Sequence, residues 1–140
     1  MARYLLDTNH LSPLITIGHS LRTRLQAHFA QGDTFAIPTP VLSEFLFGIG
    51  SLPRARQNQT EWERIQADLE IINVDSQMAI DAATLRLKLR TQGWQLTLFD
   101  SLIAVTALRG DYTLLTTDKD FHSIPGLRQE NWRDTPPLTS

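Results

Sequence analysis

The sequence predicts an α/β fold, a central parallel sheet with helices on both faces. Three observations carry that expectation. Short apolar runs at residues 4–6, 34–37, 71–74 and 113–116 end at polar or proline-rich turns. Between them lie longer stretches whose apolar residues recur at helical spacing. Strands alternating with helices make βαβ units, and their crossovers cover both faces of a parallel sheet. The length, 140 residues, suits one domain with a sizeable core.

Tyr4-Leu5-Leu6 reads as a buried strand that ends at Asp7. Leu11, Leu14 and Ile15 mark a short helix that tolerates Pro13 in its first turn and stops at Gly18. Leu21, Leu25 and Phe29, four residues apart, mark a second helix with His28 beside it. The turn Gln31-Gly32-Asp33 leads to the strand 34–37, which Pro38-Thr39-Pro40 closes. Proline suits a first helical position, so the helix over 41–47 opens there and meets Gly48 and Gly50. Residues 51–58 read as a loop or a loose helix start. Trp62, Ile65 and Leu69 form a helical stripe, and the strand 71–74 follows. Asp75 or Ser76 caps a long helix with Met78, Ala82, Leu85 and Leu89 on its core face, ending near Gly93. Thr97 precedes an apolar helix over 98–108, which holds Asp100. The strand 113–116, the segment through Asp118 and Asp120, and a short last piece after Leu127 complete a single domain over 1–134. Residues 135–140 read as a frayed tail.

The composition excludes several classes. There is no cysteine, hence no disulfide framework and no thiolate chemistry. No run of eighteen apolar residues is present, and Asp7 comes too early for a secretory leader, so a cytoplasmic protein is expected. The net charge of −2 does not advertise a nucleic-acid partner. Setting aside four of the fifteen acids as metal ligands leaves eleven against thirteen Lys plus Arg, a mildly basic remainder.

The acids carry the chemistry. Ligands of open α/β sheets bind outside the carboxyl ends of the strands. Asp7 and Asp118 fall there, and Glu44 lies about a helical turn beyond the second strand. Asp100 sits in the first turn of an apolar helix, where an unpartnered carboxylate is costly. Each has a plain structural role open to it: Asp7 as a helix cap, Glu44 as a solvated residue, Asp118 and Asp120 as turn residues, Asp100 in a capping box with Thr97. Four carboxylates on one rim repel one another, and hard divalent cations with oxygen ligands resolve that repulsion.

Leu5-Leu6-Asp7-Thr8-Asn9, the stretch from Val41 through Glu44 to Gly48, Phe99-Asp100-Ser101-Leu102-Ile103-Ala104 and Leu114-Leu115-Thr116-Thr117-Asp118-Lys119-Asp120-Phe121 resemble, in order, the four motifs of PIN-domain nucleases. Their spacing is most similar to VapC-type toxins of bacterial toxin–antitoxin pairs. The resemblance spans nearly the whole chain. It implies a Rossmann-like three-layer α/β/α domain, Mg²⁺ or Mn²⁺, endonucleolytic cleavage of RNA, a homodimer, and an antitoxin that blocks the site. It assigns Asp7, Glu44, Asp100 and Asp118 as metal-holding catalytic acids, with Thr8, Asn9, Thr116 and Asp120 in support. The fourth acid is Asp118 or Asp120, two residues apart, and Asp118 is chosen as the nearer to the strand end. His10 departs from the pattern, standing where an aliphatic residue is usual.

Two rival readings stand beside this one. A haloacid-dehalogenase-like phosphohydrolase wants a second Asp two residues after the first, where this chain has Asn9. A PIN module that binds RNA or a partner without cutting would retain the fold alone. The four histidines lack zinc-ligand spacing, and no serine elbow or phosphate loop is present. Arg22, Arg24, Arg54, Arg56, Arg86, Lys88 and Arg90 are candidates to touch RNA phosphates but read first as solvated helix faces. Trp62 and Trp94 are candidates to stack bases but read first as core or dimer-interface aromatics.

Overall fold

The computed structural model describes residues 1–133, so the tail expected to fray lies outside the described residues. Five strands make one wholly parallel sheet in the order β3-β2-β1-β4-β5. They are β1 (Arg3–Leu6), β2 (Thr34–Pro38), β3 (Leu69–Ile72), β4 (Thr113–Leu115) and β5 (Gln129–Glu130). Six helices connect them: α1 (Thr8–Leu11), α2 (Ser20–Ala30), α3 (Thr39–Gly50), α4 (Ala55–Ile65), α5 (Ser76–Thr91) and α6 (Leu98–Gly110). This is the three-layer α/β arrangement that the strand–helix alternation predicts.

The central strands are apolar because both their faces are covered. Leu5, Leu6, Phe35, Ala36, Ile37, Leu114 and Leu115 are all buried. The chain runs outward from β1 through β2 to β3, then returns to lay β4 on the other side of β1. The direction of winding therefore reverses between β1 and β4, and the carboxyl ends of these two strands face one crevice.

The structure corrects several local expectations. Leu69 opens β3 instead of extending the α4 stripe, because α4 stops at Ile65 and a 3₁₀ turn over Gln66–Asp68 intervenes. The third strand thus lies two residues earlier than its apolar run suggests. Within 51–58 the helix begins at Ala55. Thr116 falls just past β4. Phe29, at the end of α2, is 43% exposed and not part of the core. Phe45 and Trp62 pack on each other inside, with ring centroids 5.2 Å apart, so Trp62 is a core aromatic, whereas Trp94 and Phe47 are exposed.

Candidate active site

Asp7 is the first residue after β1, and its backbone N–H still donates to the Leu115 carbonyl of β4. Its side chain does two things. Oδ1 accepts from the Thr8 N–H at 2.8 Å, capping α1 as its plain structural role foresaw. Oδ2 accepts from the Thr116 hydroxyl at 2.8 Å, across the β1–β4 crevice. Thr116 in turn accepts from the Asp118 N–H at 3.0 Å. The ends of the two strands are thus tied together through one hydroxyl.

Glu44 reaches this rim from α3, which packs against α1. Its carboxylate accepts a short hydrogen bond from the Thr8 hydroxyl. Thr8 therefore joins Asp7 and Glu44, one through its amide and one through its side chain.

Asp100 comes from α6. Thr97 caps that helix, its hydroxyl accepting from the Asp100 N–H at 3.1 Å, which forms the threonine half of the capping box. Thr97 thereby sets the first turn, and Asp100 is buried. Asp100, Asp118 and Asp120 each offer an oxygen, and these oxygens lie within 4.8 Å of one another. Asp120 enters beside Asp118 because Asp118 caps the 3₁₀ turn Lys119–Ser123, its Oδ1 accepting from the Asp120 N–H at 2.8 Å. Such a tight turn brings carboxylates two residues apart to one side. The five acids thus fall into two sets, Asp7 with Glu44 and Asp100 with Asp118 and Asp120.

The electrostatics join the sets. Burial pushes the Asp100 carboxyl up to about 6, and the charges of Asp118, Asp7 and Asp120 add to it against a hydrogen bond from Thr97. Burial also raises Asp7; hydrogen bonds from Thr116 and Thr8 oppose the rise, and Glu44 and Asp118 reinforce it. Among the described residues, no ion pair involves Asp7, Glu44, Asp100, Asp118 or Asp120. Crowded oxygen donors without a cationic side chain fit a hard divalent ion such as Mg²⁺ or Mn²⁺.

Two contributors were not foreseen. His10 is fully buried and binds both Asn9 and the backbone of Trp132. A polar residue on the inward side of a helix was its signal. Arg133, whose Nη1 donates to the Asn9 carbonyl at 3.0 Å, had none. Beside the acids an open groove of about 1120 Å³ runs between α3 and α4, lined by Thr8, Ile15, Glu44, Phe45, Ile49 and Leu52 among others.

Comparisons with known proteins place the chain by family and fold. The family model described as PIN domain matches residues 4–127. Ribonuclease VapC2 of Rickettsia felis is 32% identical over 92% of this chain and 97% of its own length. The solved structure of the Rickettsia felis VapBC2 complex bound to a promoter DNA fragment superposes with a TM-score of 0.81, at 32% identity over 93% of this chain and 98% of that one. The tRNA(fMet)-specific endonuclease VapC of Salmonella typhimurium is 27% identical over 94% of this chain and 99% of its own length. A toxin–antitoxin complex from Klebsiella pneumoniae superposes with a TM-score of 0.64, at 29% identity over 89% of this chain and 94% of that one. With a sheet that reverses its winding beside these acids and a match over nearly its whole length, the chain belongs to the PIN-domain family, among its VapC nucleases.

Proposed function

We propose that this protein is a divalent-metal-dependent endoribonuclease, the toxin of a toxin–antitoxin pair, and that Asp7, Glu44, Asp100 and Asp118 hold its Mg²⁺ or Mn²⁺. The observation that carries the reading is Asp100: a buried carboxyl pushed up to about 6 by burial and by other acids, with no described ion pair to relieve it. A cation bound there would supply the positive charge that acidifies an attacking water and offsets charge growing on the scissile phosphate.

The chain's own residues prepare that chemistry. Thr116 and Thr8 fix the Asp7 carboxylate from two sides. Thr8 also holds Glu44 at the rim, and Thr97 fixes the turn that carries Asp100. In the reaction a water oxygen bonds to phosphorus, the bond from phosphorus to one ribose oxygen breaks, and that oxygen leaves with a proton. RNA as the substrate follows the relatives, whose names are ribonuclease and tRNA-specific endonuclease. An antitoxin would sit in the groove that begins at Thr8 and Glu44, beside the acids. A homodimer, readable by sedimentation at micromolar concentration, and a cytoplasmic location belong to the same proposal.

The test is single-turnover cleavage of RNA with Mg²⁺ or Mn²⁺, alongside melting without metal. Asp7→Asn keeps the shape and loses a charged ligand. Cleavage should fall by about 100-fold or more, since loss of a mere supporting group costs roughly 10–100-fold. The melting temperature should hold or rise as repulsion is relieved. Undiminished cleavage in excess chelator, or by Asp7→Asn, would sink the metal mechanism.

A further inference from the structure

His10 is a buried, titratable side chain that the proposed chemistry leaves unused. It is 0% exposed, and both ring nitrogens are engaged. The backbone N–H of Trp132 points at Nε2, 3.0 Å away. That group can only donate, so Nε2 carries the lone pair and the proton resides on Nδ1. Nδ1 lies 2.7 Å from Asn9 Oδ1, which accepts from it. A second donor, the Thr117 N–H at 3.1 Å, meets the same Asn9 oxygen. Two donors on one oxygen fix which way the amide faces. The Asn9 NH₂ is then turned to Asp7 Oδ2, at 3.3 Å, with the Thr116 hydroxyl beyond at 3.5 Å.

The anchor of this chain is buried, its ring packed by aromatic and cationic neighbours. The Trp132 ring is buried, stacks on His28 with centroids 4.6 Å apart and lies under the Arg24 guanidinium at 4.2 Å. Arg133 adds a bond to the Asn9 carbonyl. Burial, with Arg133 and Arg24 nearby, pushes the His10 imidazole down to about 4, so the ring stays neutral near pH 7 and keeps one proton to give.

We propose that His10 is a positioning residue for the acidic site: locked as its Nδ1–H tautomer by the Trp132 backbone, it orients Asn9 so that the Asn9 amide donates to Asp7 and sets the direction of that carboxylate. The role assigned to Asp7 rests on the nuclease reading; the relay itself rests on hydrogen bonds spanning 122 residues of sequence. Donors aligned Trp132 to His10 to Asn9 to Asp7 polarise one another in one direction. A satisfied core histidine would need only the first two links. The third, into a carboxylate of the site, distinguishes the positioning role.

Nitrogen-15 NMR of the histidine rings reads the tautomer without RNA or metal. The expected state at pH 7 is Nδ1–H with a bare Nε2; an Nε2–H ring or an imidazolium would overturn the inference. Mn²⁺ binding, melting temperature and RNA kinetics are then compared in three variants. His10→Leu removes both links, and Mn²⁺ affinity and kcat should each fall by about 10–100-fold with KM for RNA unchanged. His10→Asn keeps a donor near the Nδ1 position and should recover most of the Mn²⁺ affinity. His10→Gln keeps an acceptor toward Trp132 and should recover stability more than Mn²⁺ affinity. Wild-type Mn²⁺ affinity in all three, or affinity that merely follows melting temperature, would show a structural role only. Wild-type protein that binds Mn²⁺ in this pattern without cutting RNA would refute the nuclease reading and leave the relay standing.

Discussion

Two carboxylic acids in this protein are buried to the same degree and treated in opposite ways. Glu61 on α4 is 9% exposed and Asp100 on α6 is 8% exposed. Glu61 has Arg22 of α2 at 2.9 Å on one oxygen and Arg64 of its own helix at 3.1 Å on the other. Asp100 has Asp118, Asp7 and Asp120 raising its pKa, and no described ion pair. An acid that only needs to be buried is paired, because the fold gains nothing from a lone charge out of water. An acid left beside other acids keeps its lone pairs for something else. Burial alone would have ranked the two equally; their neighbours separate structure from function.

The sharpest way to break this comparison is to neutralise each acid in turn. Asp100→Asn should lower RNA cleavage by about 100-fold or more while the protein stays folded, since a proposed ligand is lost. Glu61→Gln should leave cleavage within a few-fold and cost about 1–3 kcal/mol of stability, because Arg22 loses its partner. The cost stays at that end of the range because Arg22 and Glu61 keep 15% and 12% of their side-chain surface in water. Single-turnover kinetics and urea melts on both variants decide it. The reverse pattern, with Asp100 structural and Glu61 essential for cleavage, would end the argument.

A smaller effect follows from the titration of Asp100. Its folded pKa, about 6, lies above the usual 3.8. Below about pH 4 the group is protonated folded or unfolded, and its favourable contribution is fully present. Between about 4 and 6 the unfolded chain gives up the proton first, so stability of the metal-free protein is lost as pH rises. A shift of this size corresponds to roughly 2–3 kcal/mol by pH 7. Asp100→Asn should remove that slope, so the difference between variant and wild-type melts should grow from pH 4 to pH 6 in favour of the variant. A cation at about 100 times its Kd should return roughly 2.7 kcal/mol to the wild type and much less to the variant. Parallel pH curves would show that Asp100 is not strained.

Much of this was legible in the sequence, and the misses have physical causes. β1, β2 and β4 are central strands, so their apolar runs are dense and hard to misread. β3 is an edge strand with a single buried residue, Leu69, whose four-residue spacing from Ile65 mimics a helix. β5 is two polar residues held by backbone bonds to β4, a strand with no apolar signature. Asp7, Asp100 and Asp118 stood out because each interrupts or closes an apolar stretch. The tie from His10 to Trp132 could not be read, because neither residue carries a local pattern that names a partner so far along the chain.

The finest test separates Asp118 from Asp120, both of which share the cluster with Asp100. Asp118 is half-buried and Asp120 exposed. The charge of Asp118 raises both Asp7 and Asp100, whereas Asp120 contributes to Asp100 alone. Asp118 is also tied by its amide to the Thr116 hydroxyl, which donates to Asp7. It therefore stands between the two sets of acids, and Asp120 stands at the rim. Asn in place of Asp118 keeps an oxygen to cap the turn at Lys119–Ser123, so the fold should survive. Asp118→Asn should weaken Mn²⁺ binding and cleavage by about tenfold or more, within the range for groups that orient or hold a metal. Asp120→Asn should cost only a few-fold. Because Asp120 is exposed, salt should screen its share; the gap between the wild type and Asp120→Asn should narrow from about 10 mM to 1 M ionic strength, as the Debye length shrinks from about 30 to 3 Å. The Asp118 gap should hold. A larger loss in Asp120→Asn, resistant to salt, would exchange the two roles and make Asp120 the fourth acid.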